Sequence, residues 1–254
     1  MPRHARGTAR LRLKRDTCLM RCSALQKGSE MTRPRHPFIT LTTLATASIL
    51  AACTNAYPAL EFTPEGDALR LQGVIDARAL DAFDEALAAN PNVNRLIFDF
   101  VPGSADDESN LMLARRVREL ELSTIIPESG LTASGGTDLF LAGVKRSISS
   151  SACVGVHTWG DDSVGIGSEV PKDHPIHQMY LAYYQDMDIP ASFYWFTLDA
   201  AGPDDSHWMS VGEIESYRMT TEAIETSEVE PQAERRPRCE IRFNGAFEQL
   251  LARE

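Results

Sequence analysis

The sequence predicts an α/β domain with a largely parallel sheet. Apolar, β-rich runs alternate along the chain with segments whose apolar residues recur at helical spacing. One of those runs, RLIFDFVPG (residues 95–103), is apolar nearly throughout, as a strand buried on both faces should be.

The elements follow in order. ALRLQGVID (68–76) reads as a strand interrupted by Gly73, a bulge or bend. From Asp76 to Asn90 a helix is expected, because Leu80, Phe83 and Leu87 recur at helical spacing beside Ala79 and Ala86, and Asn90-Pro91-Asn92 stops it. Residues 95–103 form the next strand, 108–120 a second helix, and 123–127 a short strand entering the loop SGLTASGG (129–136). A third helix is read over 137–144, a strand over 153–157, and a helix starting at Ser210. After Met219 the acidic run to residue 238 reads as a solvated linker, and residues 239–254 as a strand and a short helix packing back.

Upstream, Met31 opens a secretory signal. Arg33 and Arg35 form a basic start, and Phe38 to Leu50 an uncharged, largely apolar stretch too short to span a bilayer as a helix. Leu50-Ala51-Ala52-Cys53 resembles the bacterial lipobox, which implies that the Cys53 thiol is acylated, becomes the first residue after cleavage, and tethers the protein to a membrane. Thr54 is not the aspartate of an inner-membrane retention signal, so the expected address is the outer membrane, facing the periplasm. The expected organisation is an upstream extension over 1–30 from a start codon placed too early, the signal over 31–52, a polar tether over 53–67, the domain over 68–220, and the acidic linker with its C-terminal segment over 221–254.

Residues 1–52 hold ten Lys or Arg and two acids; the remainder holds fifteen basic and thirty-four acidic residues, a net charge of −19 with histidine neutral. That charge argues against nucleic acid or an anionic lipid surface as partner. About 200 residues suit one domain. Cys18 and Cys22 precede the signal and Cys53 carries lipid, leaving Cys153 and Cys239, for which a disulfide and two free thiols both stay open.

ASGGTDLFLAGVKRSISSSACVGVHTWG (133–160) resembles the serine and histidine segments of the caseinolytic (Clp) protease and crotonase superfamily, and more closely its periplasmic branch. Small-Ser-small at Ser134, the Ala142-Gly143 turn, Lys145-Arg146 and Gly155-Val156-His157 match in order. The resemblance covers roughly Leu69 to Met219. It implies a spiral of ββα units and a serine hydrolase site, while cysteines that commonly flank the family serine are here Thr132 and Gly136.

The chemistry asks for these residue types. A serine hydroxyl needs a base to take its proton, and histidine is best tuned for that near neutral pH. Ser134 would precede a helix whose free N–H groups favour developing negative charge. The resemblance implies an oxyanion hole from the Gly135 N–H and from the turn Pro102-Gly103-Ser104, where Ser104 replaces the family's second glycine; a strongly glycine-like conformation would strain it. The resemblance also places a third member in DDSHWMSVGEIESY (204–217), with Asp205 first and Asp204 second, the alternative being an acid near a helix start.

His174 and His177 with Asp173 invite a metal reading, but no third ligand matches and Pro175 favours a loop or first helical turn, so neither metal nor cofactor is expected. Tyr180, Tyr183, Tyr184 and Phe193-Tyr194-Trp195-Phe196 read as core or as the wall of an apolar cleft beside His157. Two functions remain: a membrane-tethered serine hydrolase acting on a peptide or ester, and a catalytically inactive module for binding or assembly. Superfamily members assemble into rings or trimers, which leaves a homo-oligomer open.

Overall fold

The computed structural model describes residues 57–161, 163–224 and 230–253; the signal peptide, Cys53 and the upstream extension lie outside them. The described chain folds as a mixed α/β domain. Its elements are β1 (Glu61–Glu65), β2 (Ala68–Gln72), α1 (Ala79–Ala89), β3 (Arg95–Val101), α2 (Asp107–Glu119), β4 (Ser123–Ile126), β5 (Leu131–Ala133), α3 (Gly135–Leu141), β6 (Arg146–Ile148) and β7 (Cys153–Val156). After a small hairpin of β8 (Gly160–Asp161) and β9 (Gly165–Ile166) come α4 (Ile176–Asp186), α5 (Ala191–Ala200), β10 (His207–Trp208), α6 (Val211–Ser216) and α7 (Gln232–Leu251).

The main sheet runs β1-β2-β3-β5-β7-β10, parallel from β2 to β7 and antiparallel at both edges. It forks at β3. Residues Arg95 to Ile97 pair with β4, which pairs with β6, whereas Phe100 and Val101 pair with β5. The fork coincides with a slip of register: Leu71 faces Phe98 but Gln72 faces Phe100, leaving Asp99 as an extra residue on β3. One extra residue turns the following side chains to the other face. Phe98 therefore joins the large core under α1 to α5, edge-on to Phe140, while Phe100 joins a second core with Trp208, Phe243 and Phe247 beneath α7. From β4 onward the chain sends one strand to each branch before each return, giving β4-β5-α3-β6-β7, the ββα progression the sequence suggests.

Several elements differ from expectation. Part of the expected tether is β1, an exposed edge strand whose Pro64 and unalternating polar residues hide it, closed onto β2 by a turn at Gly66 (φ +64°). Helix α1 starts at Ala79 because Asp76 takes the Arg78 N–H at 2.9 Å in a turn of its own. The glycine loop contains β5, three buried residues too few to display a period. The largest correction is C-terminal. Instead of a strand and a short helix, Gln232 to Leu251 form one helix that continues through Pro237. Its anchors are side chains that composition reads as solvated. Arg235 donates to the Ser150 and Ala152 carbonyls at 2.9 and 2.7 Å, Arg238 to Ser151 at 2.9 Å, and Cys239 is disulfide-bonded to Cys153.

Candidate active site

Four consecutive parallel strands, β2, β3, β5 and β7, bring their C-terminal ends to one edge, where open α/β sheets commonly bind ligands. The residues just past those ends are Ile75, Gly103-Ser104, Ser134 and His157, in that lateral order. A cleft of about 40 Å³ opens there, lined by Ser134, Gly135, Asp107, Asp138 and His157 and walled by Trp159, Tyr180, Tyr184 and Tyr194. That space admits only two or three waters.

Ser134 bridges β5 and α3 with φ +52° and ψ −131°, a conformation that costs a non-glycine residue on the order of 1–3 kcal/mol. Its surroundings hold it there. The Ser134 N–H donates to the Gly155 carbonyl at 3.1 Å, its own carbonyl accepts from Thr137 and Asp138 N–H, and Thr137 Oγ1 donates to Gly155 at 2.9 Å. A trans peptide points its N–H opposite its C=O. With the Ser134 carbonyl turned into α3, the Gly135 N–H points out of the helix end.

The same geometry orients the turn after β3. The Gly103 carbonyl accepts from Ile75 N–H at 3.0 Å on the β2 side, so the Ser104 N–H points to the β5 side, where Ser134 follows. Gly103 has φ +154° and lies against Ser134, a methyl in its place coming 3.3 Å from the Ser134 Cβ. Ser104 is not among the residues at positive φ, so glycine is not required at that place.

His157 lies just past β7. Its Nδ1 is 2.7 Å from the Thr158 carbonyl, so with Nδ1 protonated it donates there and leaves Nε2 as an acceptor. Among the described residues no hydrogen bond joins His157 to Ser134. The expected third member does not line the cleft: Asp205 is exposed, accepts from the Ser206 N–H at 2.8 Å, and pairs with Arg236 of α7 at 3.3 Å. Asp204 does not line the cleft either. The helix beginning at Ser210 is present, with Ser210 and Glu213 forming a capping box.

Two carboxylates missed from sequence face the cleft. Asp138, one helical turn beyond Ser134, accepts from Tyr184 OH at 2.6 Å, and burial, reinforced by Asp107 and opposed by that hydrogen bond, pushes its carboxyl up to about 7. Asp107 accepts from Ser104 Oγ and from Tyr180 OH, each at 2.6 Å. The spacing from Ser134 is a signal that could have found Asp138; Asp107 is hidden in the acidic run that opens α2.

The tyrosines divide between wall and core. Tyr183 is buried away from the cleft and donates to the Asp138 carbonyl, whereas Tyr180 stacks between Trp159 and Tyr194. Phe193 is core, and Trp195 and Phe196 pack against it from the half-buried side. His177, fully buried, meets Tyr194 OH at 2.6 Å, while His174 precedes α4 and lies exposed, so the two share no ligand face. No group of three or more metal-ligating side chains occurs among the described residues.

No protein-family model and no curated relative matches the chain. Solved structures similar to it include the ClpP protease catalytic domain from Plasmodium falciparum (17% identity, 62% of this chain and 84% of that one, TM-score 0.43). An enoyl-CoA hydratase from Polaromonas is similar at 15% identity (73% and 77%, TM-score 0.42), and a membrane protease specific for a stomatin homologue from Pyrococcus horikoshii at 16% (60% and 69%, TM-score 0.41). The chain is thus similar to solved structures of the Clp protease and crotonase kind, a likeness that at these identities and scores says nothing of its chemistry.

Proposed function

We propose that the protein is a serine hydrolase of peptidase or esterase type, tethered to the cell envelope through lipidated Cys53. The observation that carries this reading is that Ser134, in a strained conformation at the start of α3, and His157 line one cleft at the C-terminal edge of the sheet.

In this reading His157 Nε2 takes the Ser134 hydroxyl proton as Oγ attacks the substrate carbonyl carbon. The tetrahedral oxyanion accepts from the Gly135 and Ser104 N–H groups, each worth a few kcal/mol in comparable sites, about 3 kcal/mol. His157 then gives the proton to the departing amine or alcohol; water, giving its proton to the same histidine, attacks the acyl carbonyl, and that proton passes to Ser134 Oγ as the ester C–O bond breaks and the acid leaves. The Thr158 carbonyl, not a carboxylate, holds the Nδ1 proton. This arrangement steadies the ring without giving the imidazolium the stabilisation of a buried anion.

The inactive binding or assembly module stays as second reading, favoured by the missing Ser134–His157 hydrogen bond and by Asp205 being engaged with Arg236. Covalent labelling by a fluorophosphonate probe separates the two. The hydrolase predicts labelling of the wild type that Ser134→Ala abolishes; a folded wild type that takes no label supports the module.

A further inference from the structure

The oxyanion turn is tied to the cleft wall by one carboxylate. Ser104 Oγ–H donates to Asp107 Oδ1 at 2.6 Å, and Tyr180 OH donates to Asp107 Oδ2 at 2.6 Å. Asp107, half-buried, opens α2, and one turn later the buried Asn110 donates from Nδ2 to the Gly135 carbonyl at 2.9 Å. Ser104 in turn packs on Gly135 so closely that a methyl group there would come 2.2 Å from its Oγ. The first turn of α2 therefore grips both segments whose N–H groups face Ser134.

Backbone bonds to Ile75 fix the flanks of the turn at Gly103 and Ala105, but they leave the Ser104 side chain to choose its rotamer. Asp107 makes that choice. With both carboxylate oxygens receiving hydroxyl protons, the Ser104 hydroxyl stays packed on Gly135 and the separation between the two N–H groups is set from the side of α2. Tyr180 extends the device to the wall, because its ring is stacked at 13° on Tyr194 while its hydroxyl holds Asp107.

We propose that Asp107 is a positioning residue that sets the Ser104 and Gly135 donors for the transition state, with Tyr180 linking that setting to the pocket wall. The proposal rests on Ser134 acting as nucleophile. It gives the serine at 104 a use that a glycine could not fill, since glycine has no side-chain donor for Asp107 to hold.

The test measures fluorophosphonate labelling of the full-length protein with kinact and KI separated, together with thermal midpoints. The variants are Ser104→Ala, Ser104→Thr, Asp107→Asn and Tyr180→Phe. Asn at 107 keeps the shape but turns an NH2 toward one of the two hydroxyls. A donor displaced by a fraction of an ångström should slow phosphonylation by about tenfold. The expected result is that fall in kinact for Ser104→Ala and Asp107→Asn, a smaller fall for Tyr180→Phe, and recovery in Ser104→Thr, with KI and midpoints preserved. A labelled wild type whose Asp107→Asn and Ser104→Ala forms keep the wild-type kinact overturns the proposal alone. Losses that follow KI and the midpoint also overturn it, by making Asp107 merely structural, and an unlabelled wild type overturns it together with the nucleophile it rests on.

Discussion

Ser134 and Asp138 hold unfavourable states one helical turn apart, the first in its backbone and the second in its charge. A positive φ at a serine and a carboxyl pushed up to about 7 both persist because their neighbours over-determine them. The carboxyl has a measurable consequence. Between its ordinary value and about 7 the folded chain keeps a proton that the unfolded chain has released, so Asp138 favours folding at acidic pH and that contribution is lost as pH rises through 7. The loss is at most about 4 kcal/mol at roughly 1.4 kcal/mol per pH unit, and less for a side chain partly open to the cleft. Urea unfolding at pH 5 and pH 8 should show Asp138→Asn losing this fall while the wild type retains it. Equal pH dependence in both would mean that Asp138 is ionised throughout. Single residues were unevenly legible in the sequence. Ser134, His157 and the turn at 102–104 were reached through the family resemblance carried by residues 133–160, not from composition or periodicity. Asp138 and Asp107 were missed, because a carboxylate in a helix reads as solvated until tertiary packing covers it.

Elements with room to display a period were legible. The strand at 95–101 and the helices near 79–89 and 107–119 lie within a few residues of expectation. Strands β5 and β6, of three residues each, have no period to read, and β1 is masked by its edge position. Helix α7 was illegible for another reason: its burial uses arginines on loop carbonyls and a disulfide, devices that composition scores as polar. The disulfide closes a separation of 86 residues, for which chain-entropy arguments give about 4–5 kcal/mol. Cys239→Ser should therefore lower the urea midpoint markedly and, because the unfolded chain is freed to expand, steepen the transition; an unchanged midpoint would mean that arginine anchoring and Phe243 suffice to hold the helix. At the other end of β7, Gly155 lies under the Trp208 ring, where a methyl would come 2.9 Å from Cζ3. Gly155→Ala should cost about 1–3 kcal/mol by overpacking and disturb the near-ultraviolet circular dichroism of Trp208, whereas an unperturbed spectrum would show that β10 yields freely.

At the scale of the domain, the forked sheet decides which residues meet at the cleft. The slip at Asp99 sends the end of β3 to β5, so that the turn carrying Ser104 comes to lie beside Ser134, with His157 on the far side. Helix α2 grips this edge from one side, and the aromatic wall of α4 and α5 narrows the cleft to a small group's width. The alternation of β2, α1, β3, α2, β4, α3 and β7 was readable from sequence; the fork was not, because it depends on one extra residue within an apolar run. The hydrolase proposed above requires that His157 activate Ser134. The deciding quantity is the rate at which a fluorophosphonate phosphonylates Ser134, followed by intact mass and peptide mapping in the wild type and in His157→Ala. General-base assistance of this kind is worth about 10²–10⁴-fold, so the expected result is a loss of at least about a hundredfold in the variant, with the label on Ser134. Equal rates in the two proteins, or a label on another residue, would contradict it.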